Sequence, residues 1–185
     1  AMLSKKDKLL WMDNFLFMMT SDLRELCDKI GKIRNYRSLG QQRNLLLGGV
    51  SGMGKTTFLD WYASCYMPSV EEGYNHVPII KIDAPVGNSP KPLLQRVILE
   101  CGVNYLRGDK EEDLLMKLAF YFQRCHVEML IIDEIEHIKR DDIRRRVLEI
   151  SNLTRGVPII CASCHPLRFR DNDSEVAGRW NDFFR

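Results

Sequence analysis

Apolar residues recur at helical spacing in several stretches of the chain. Near the N-terminus they return at three- and four-residue steps, which predicts helix over residues 5–34. Thr20-Ser21-Asp22 interrupts this run, and its serine or aspartate is expected to cap a second helix. Further helices are predicted by the same spacing at 57–66, 89–101, 109–125 and 141–154. In the second of these, Ser89 is expected as the cap and Pro90 as the first helical residue.

Short apolar runs between these helices predict strands instead. They occur at 45–47, 77–83, 128–133 and 156–163, and residues 68–75 are predicted to form a turn-rich loop. Strands that alternate with helices and are apolar on both faces are typical of a parallel sheet covered on both sides. The sequence therefore predicts an α/β, three-layer domain with a parallel sheet, preceded by N-terminal helices. The last of the four strands is expected to lie beside the first.

A glycine-rich stretch joins the first strand to the next helix and has the spacing of a phosphate-binding loop. Two glycines bracket four residues before a lysine and a threonine, in the order Gly49, Val50, Ser51, Gly52, Met53, Gly54, Lys55, Thr56, Thr57. Such a loop points backbone N–H groups at phosphate oxygens, and the helix adds the positive end of its dipole. Lys55 is predicted to reach the outer phosphates and the Thr56 hydroxyl to bind Mg²⁺. The chain is therefore predicted to bind ATP with Mg²⁺.

Polar residues end the third and fourth predicted strands and supply the second half of this site. Asp133 and Glu134 follow an apolar run, so Asp133 is expected to hold the Mg²⁺ hydration shell and Glu134 to orient the attacking water. Hydrolysis, rather than binding alone, depends on Glu134. Ser163 is the expected residue that contacts the outer phosphate or the water. Cys164 remains an alternative, because a shift of one residue in register exchanges the two.

The segment Cys161-Ala162-Ser163-Cys164-His165 has the spacing of a c-type haem attachment motif. Haem attachment requires export, for which the sequence has no signal, and Cys161 is expected to be buried in the sheet. A zinc site is also not expected, because no second pair of ligands stands at a suitable spacing. His76, His126 and His137 are scattered and are predicted to be structural or surface residues.

Composition narrows the class of protein without identifying a partner. The chain has 185 residues, a net charge of +2 and six cysteines. No run of eighteen apolar residues and no signal-peptide pattern is found, so a cytoplasmic protein with reduced thiols and no membrane association is expected. The charge is too small to indicate nucleic acid, so any DNA-binding surface must come from local clustering.

Several segments of the chain resemble the TnsC/TniB type of AAA+ ATPase, a regulator of DNA transposition. The resemblance covers roughly residue 43 to the end and none of the first forty residues. It lies in the phosphate loop and in 127–134, 137–139, 155–160 and 176–180. It implies ATP-dependent ring or helical homo-oligomers around duplex DNA, which link a target-selecting protein to the transposase. It also implies that Arg179 is an arginine finger acting on a neighbouring subunit, with Arg168 and Arg170 as rivals.

The sequence departs from this family in two places. The fourth strand ends in Ala-Ser-Cys where relatives usually have Gly-Thr, which affects the role expected of Ser163. The chain ends near the expected fifth strand, so the C-terminal helical lid is expected to be absent. The predicted organisation is therefore an N-terminal helical extension at 1–42 and an AAA+ ATPase core at 43–185.

Two basic clusters are candidates for DNA contacts. Arg107 and Lys110 lie in a loop that can face DNA in this family, and they are the predicted DNA-binding residues. Arg144-Arg145-Arg146 is denser, but consecutive residues spread around a helix, so a solvated face is expected there. A nucleotide-switched signalling or scaffold ATPase without DNA binding, and a replication loader of the same superfamily, remain alternative functions.

Overall fold

The computed structural model describes residues 19–38, 43–71, 73–87, 89–138, 141–154, 156–165, 179–180 and 182–184. The helices are α1 (Ser21–Ser38), α2 (Lys55–Ser64), α3 (Lys91–Glu100), α4 (Glu111–Arg124) and α5 (Asp141–Leu153), with a 3₁₀ turn at Ile135–His137. The strands are β1 (Leu45–Gly48), β2 (Ser69–Glu71), β3 (Tyr74–His76), β4 (Ile79–Asp83), β5 (Met129–Asp133) and β6 (Ile159–Ser163). Within this part of the chain, no helix has both the length and the apolar character needed to cross a bilayer.

Four strands form a parallel sheet in the order β1-β6-β5-β4. The chain therefore leaves β1, crosses to the far edge at β4, and returns through β5 to β6. As expected, β6 lies beside β1, with Leu45 opposite Ile160 and Gly48 opposite Ser163. Every residue of β5 and β6 is buried, which explains why both strands are apolar without alternation. Because all four strands run the same way, their carboxyl ends meet at one edge of the sheet.

Helices cover both faces of the sheet, which confirms the predicted three-layer α/β fold. Successive residues of β5 point to opposite faces, so Leu130 and Ile132 pack with α3, α4 and α5, while Met129 and Ile131 pack with α1 and α2. The larger cluster is built on buried residues such as Leu93, Leu94, Leu114, Leu118, Phe122, Ile143 and Val147. The smaller one contains Ile30, Phe58, Leu59 and Tyr62.

Two local predictions were wrong. Residues 68–75 contain an antiparallel hairpin, β2 with β3, rather than a loop without strands. Helix α1 begins after Thr20, whose hydroxyl accepts the Leu23 N–H at 3.3 Å, so the cap is neither the serine nor the aspartate. The expected start of α3 is confirmed by its contacts, because the Ser89 hydroxyl accepts the Lys91 N–H at 3.3 Å and Pro90 already has helical backbone angles, with φ of −69° and ψ of −22°.

Helix α1 shares the hydrophobic core with the sheet. Ile30 and Ile33 are buried in the smaller cluster. Arg34 forms an ion pair with Glu128, and its guanidinium carbon lies 4.1 Å from the centre of the Tyr66 ring. Arg34 lies one helical turn after Ile30, so apolar burial and a cation–aromatic contact hold the same side of the helix. The predicted boundary at residue 42 remains a prediction.

Replacing Ile30 with Ala is expected to lower the free energy of unfolding by about 2–5 kcal/mol, as for other fully buried isoleucines. The side chain is 0% exposed, so its loss leaves a cavity between α1 and α2. Urea denaturation measures the effect, and Lys32→Ala on the exposed side of the same helix is the matched control. A loss below about 1 kcal/mol would mean that α1 is not part of the cooperative core.

Candidate nucleotide-binding site

The loop between β1 and α2 has the backbone conformation that its glycines allow. Gly52 and Gly54 have φ of 81° and 78°, in the left-handed region that strains other residues. Gly49 donates its N–H to the Ser163 carbonyl at 3.2 Å, which attaches the loop to the tip of β6. A Cβ at Gly49 would lie 3.2 Å from the Met53 sulfur, so the loop is also closely packed there. The N-terminus of α2 follows directly, with its unpaired backbone donors and positive dipole end.

A cavity of about 330 Å³ opens at the carboxyl edge of the sheet beside this loop. Its lining residues are Ser51, Gly52, Gly54, Lys55, Thr56, Thr57, Asp133, Glu134, Glu136 and Cys164. The Lys55 ammonium donates to the carbonyls of Gly49 and Val50, at 2.7 and 3.0 Å. These bonds hold the positive charge at the mouth of the loop. The structure thus brings Lys55 and Thr56 into one cavity with Asp133 and Glu134.

Asp133 ends β5 and is 2% exposed. Its Oδ1 atom accepts the N–H of Glu134 at 2.8 Å, whereas Oδ2 is buried without a hydrogen-bond partner among the described residues. An unpartnered buried carboxylate oxygen is costly unless something binds it. Carboxylate and hydroxyl oxygens are the ligands that Mg²⁺ prefers. The orphaned oxygen of Asp133, together with the Thr56 hydroxyl in the same cavity, therefore fits a magnesium site.

Glu134 has a backbone conformation that is uncommon for a residue with a side chain. Its φ is 52°, and it caps the 3₁₀ turn that follows β5. Such left-handed residues are enriched at functional sites, because surrounding structure must hold them there. The Glu134 carboxylate is exposed and lies 3.5 Å from the Nδ1 atom of His137. His137, predicted to be a structural or surface residue, is therefore a neighbour of this carboxylate.

Glu136 lines the cavity and was not predicted from the sequence. Its Oε1 atom accepts the backbone N–H of Cys164 at 3.3 Å and also the Cys164 thiol. Burial alone would raise the pKa of Glu136, but the hydrogen bonds from Cys164 bring that pKa below its ordinary value. The same bond raises the pKa of the Cys164 thiol, so the thiol stays protonated and donates. The available signal was the position of Glu136 two residues after Glu134, on a turn that follows a buried strand.

The two candidates at the tip of β6 occupy different environments. Ser163 is 1% exposed and its hydroxyl accepts the His165 N–H at 3.0 Å. Cys164 is half-buried and is the one of the two that lines the cavity. The role predicted for Ser163 thus remains a prediction, with Cys164 closer to the site.

Cys161 is buried in the sheet, as expected from its position on the strand, and burial raises the pKa of its thiol.

Arg179 lies next to a short aromatic cluster near the end of the chain. Trp180 is 1% exposed, and its ring stacks on Phe183 with centroids 5.8 Å apart and an angle of 7°. Arg179 itself is exposed. The buried tryptophan therefore fixes the segment on the domain while the arginine stays at the surface. The rival arginines, Arg168 and Arg170, lie outside the described residues.

The predicted DNA-binding residues are both exposed in the loop between α3 and α4. Asp109 organises this loop, because its Oδ2 accepts the Leu106 N–H at 2.8 Å and the Lys117 ammonium at 2.6 Å. The hydrogen bond from Lys117 holds the pKa of Asp109 below its usual range. Arg107 and Lys110 thus project from a loop with a defined anchor. Three acidic residues of α4 follow directly after Lys110: Glu111, Glu112 and Asp113.

The expectation of a solvated face for the three consecutive arginines was wrong. Arg144 is 4% exposed and pairs with Asp141 at 3.2 Å. Arg146 is partly buried and pairs with three carboxylates, those of Glu111, Glu112 and Glu149. Arg145 is the exposed member of the cluster. The reason is that α5 packs beside α4, whose acidic first turn draws in one of the arginines.

Comparison with known proteins identifies the fold and the family. The Aeropyrum pernix ORC2 protein is similar, with a TM-score of 0.63 and 16% identity over 90% of this chain and 48% of that one. Cdc6p from Pyrobaculum aerophilum has a TM-score of 0.64 and 13% identity over 96% and 48%. DnaA from Aquifex aeolicus has a TM-score of 0.53 and 15% identity over 90% and 46%. At these identities the likeness shows the AAA+ fold, and the chain spans about half the length of each of these proteins.

The comparison with curated proteins gives no match. The family model described as bacterial TniB protein matches residues 8–183. The match begins at residue 8, so the expectation that the first forty residues lie outside the resemblance was wrong. It covers nearly the whole chain, including the phosphate loop and the turn after β5 that carries Glu134 and Glu136, here called the acidic turn. The chain therefore belongs to the bacterial TniB family of transposition-associated AAA+ ATPases.

Proposed function

We propose that this protein is an ATP-dependent, DNA-binding regulator of transposition that oligomerises on duplex DNA and hydrolyses ATP to reset. It would link target-selecting proteins to the transposase. The observation that carries the proposal is the single cavity into which the phosphate loop and the acidic turn both project. Membership of the TniB family supports the transposition role.

In this mechanism the predicted site residues have separate tasks. The glycine-rich loop and the start of α2 bind phosphate oxygens through backbone N–H groups. Lys55 exchanges the carbonyls of Gly49 and Val50 for the outer phosphates. Mg²⁺, when bound by Thr56 and Asp133, would neutralise charge on the phosphates. Glu134 orients the attacking water, and Arg179 of a neighbouring copy stabilises charge on the terminal phosphate.

Assembly and DNA binding should depend on ATP if this proposal is right. The test is binding of a fluorescent DNA duplex with ATP, with ADP and without nucleotide, followed in parallel by sedimentation. Lys55→Ala is the control, because it removes the charge that faces the phosphates. Large complexes that form only with ATP and are lost in Lys55→Ala would support the proposal. Binding of ATP without DNA under any condition would instead favour a signalling or scaffold ATPase, which the net charge of +2 also permits.

Replacing both Arg107 and Lys110 with Ala is expected to weaken duplex binding about equally for all sequences. Phosphate contacts carry little sequence information, and each one lost lowers the salt slope by about 1. Fluorescence anisotropy over a series of salt concentrations measures both quantities. The matched control is Arg24→Ala with Lys32→Ala, which removes the same charge from the exposed side of α1. Equal losses in the two double variants would exclude a specific role for the α3–α4 loop.

A further inference from the structure

The acidic turn after β5 and the tip of β6 are joined by side chains rather than by the sheet. The paired residues of β5 and β6 end at Ile132 and Cys161. Beyond these two residues, β5 and β6 are no longer paired in the sheet. Glu136 connects them there, since its Oε1 accepts hydrogen bonds from both the N–H and the thiol of Cys164. The two residues are 28 positions apart in sequence and both line the nucleotide cavity.

On its other side, the tip of β6 is attached to the phosphate loop. The ladder of β1 and β6 continues to Gly48 and Ser163, and the Gly49 N–H binds the Ser163 carbonyl at 3.2 Å. A continuous set of contacts therefore runs from the phosphate loop through Ser163 and Cys164 to Glu136. Glu136 lies on the same turn as Glu134. These contacts therefore link the phosphate loop to the turn that carries Glu134.

We propose that Glu136 is a positioning residue for ATP hydrolysis, which acts by holding Cys164 and thereby the spacing of Glu134 from the phosphate loop. The inference rests on the proposed ATPase function. Glu136 does not need to touch the reacting atoms for this role. Its Oε2 atom is buried without a hydrogen-bond partner among the described residues, so the contact with Cys164 is made through Oε1.

This role predicts a loss of turnover without a loss of nucleotide affinity. Glu136→Ala and Cys164→Ala each remove the side-chain bridge and are expected to lower kcat about tenfold, the effect of one hydrogen bond lost from a positioned site. The double variant should lose no more than either single one, because both changes break the same contact. Cys164→Ser restores a donor and should return kcat to within about twofold of the parent. Affinity for a fluorescent ATP analogue should stay within about twofold throughout.

Alkylation of Cys164 separates failure of this inference from failure of the proposed function. N-ethylmaleimide labelling of the wild-type chain, mapped by mass spectrometry, should be slowed at Cys164 by ATP with Mg²⁺. Labelling of the exposed Cys65 should not change. Absence of protection in a chain that also hydrolyses no ATP would overturn the nucleotide site itself.

Protection combined with normal turnover in Glu136→Ala would overturn only the role of Glu136. So would a Cys164→Ser variant as slow as Cys164→Ala, since a hydroxyl donor would then fail to replace the thiol. A parallel fall in affinity, turnover and melting temperature would show a merely structural residue and would also overturn the inference. The expected pattern is lowered kcat with unchanged affinity, rescued by serine.

Discussion

Replacing Glu134 with Gln is expected to lower the turnover of ATP by about 10²–10⁴-fold while ATP affinity stays within about twofold. Correct positioning of a proton acceptor contributes a factor of this size. Glutamine keeps the shape of the side chain, so the left-handed backbone at this position is not disturbed further. Phosphate release at saturating ATP measures turnover, and a fluorescent ATP analogue measures binding.

The same variant should accumulate on DNA as stable assemblies, because hydrolysis is the proposed step that resets them. Glu100→Gln, at the exposed end of α3, removes the same charge far from the cavity and is the matched control. A Glu134→Gln variant that hydrolyses ATP at the parent rate would exclude this residue from catalysis. Glu136 would then be the carboxylate of the cavity to test next.

Replacing Arg179 with Ala is expected to lower the assembly-stimulated turnover by about 10³–10⁵-fold, the range measured for arginine fingers. The arginine would act on the terminal phosphate bound by a neighbouring copy, so its loss should leave nucleotide binding by each subunit intact. The buried Trp180 holds the segment in place, and replacing the Arg179 side chain with alanine leaves Trp180 and its stacking on Phe183 unchanged. Turnover is measured with duplex DNA present, where assembly is expected.

Mixing two inactive variants tests whether the arginine acts between subunits. Glu134→Gln is expected to bind ATP, to assemble and to offer Arg179, but it lacks the carboxylate that orients water, and Arg179→Ala has the opposite defect. Mixed assemblies place an intact arginine beside a subunit with an intact Glu134, so they should recover part of the activity. Failure to recover, although mixed assemblies form, would mean that Arg179 acts within its own subunit or not at all. Arg168 and Arg170 are the next candidates.

Most of the nucleotide site could be predicted from sequence, because its parts are local. The phosphate loop is one short segment whose glycines satisfy a local backbone requirement, seen in the positive φ of Gly52 and Gly54. Asp133 follows a run of apolar residues long enough to mark a buried strand. For both the phosphate loop and Asp133 the information lies within about a dozen neighbouring residues. The position of β6 beside β1 was also expected and is confirmed, although it pairs residues as distant in sequence as Leu45 and Ile160.

Contacts between distant groups could be read only from the folded arrangement. Cys164 reaches Glu136 across 28 positions, and Arg146 reaches Glu111 across 35, so neither contact leaves a periodic signal. The burial of Arg144 likewise depends on how the helices pack. Hydrophobic periodicity predicts that a residue faces inward, but the residue that it contacts there depends on strand order and helix packing. The phosphate loop, the acidic strand end and the layered α/β fold could therefore be predicted from the amino-acid sequence. The connection between β6 and the acidic turn could not, because that contact forms only after the strands are ordered in the sheet.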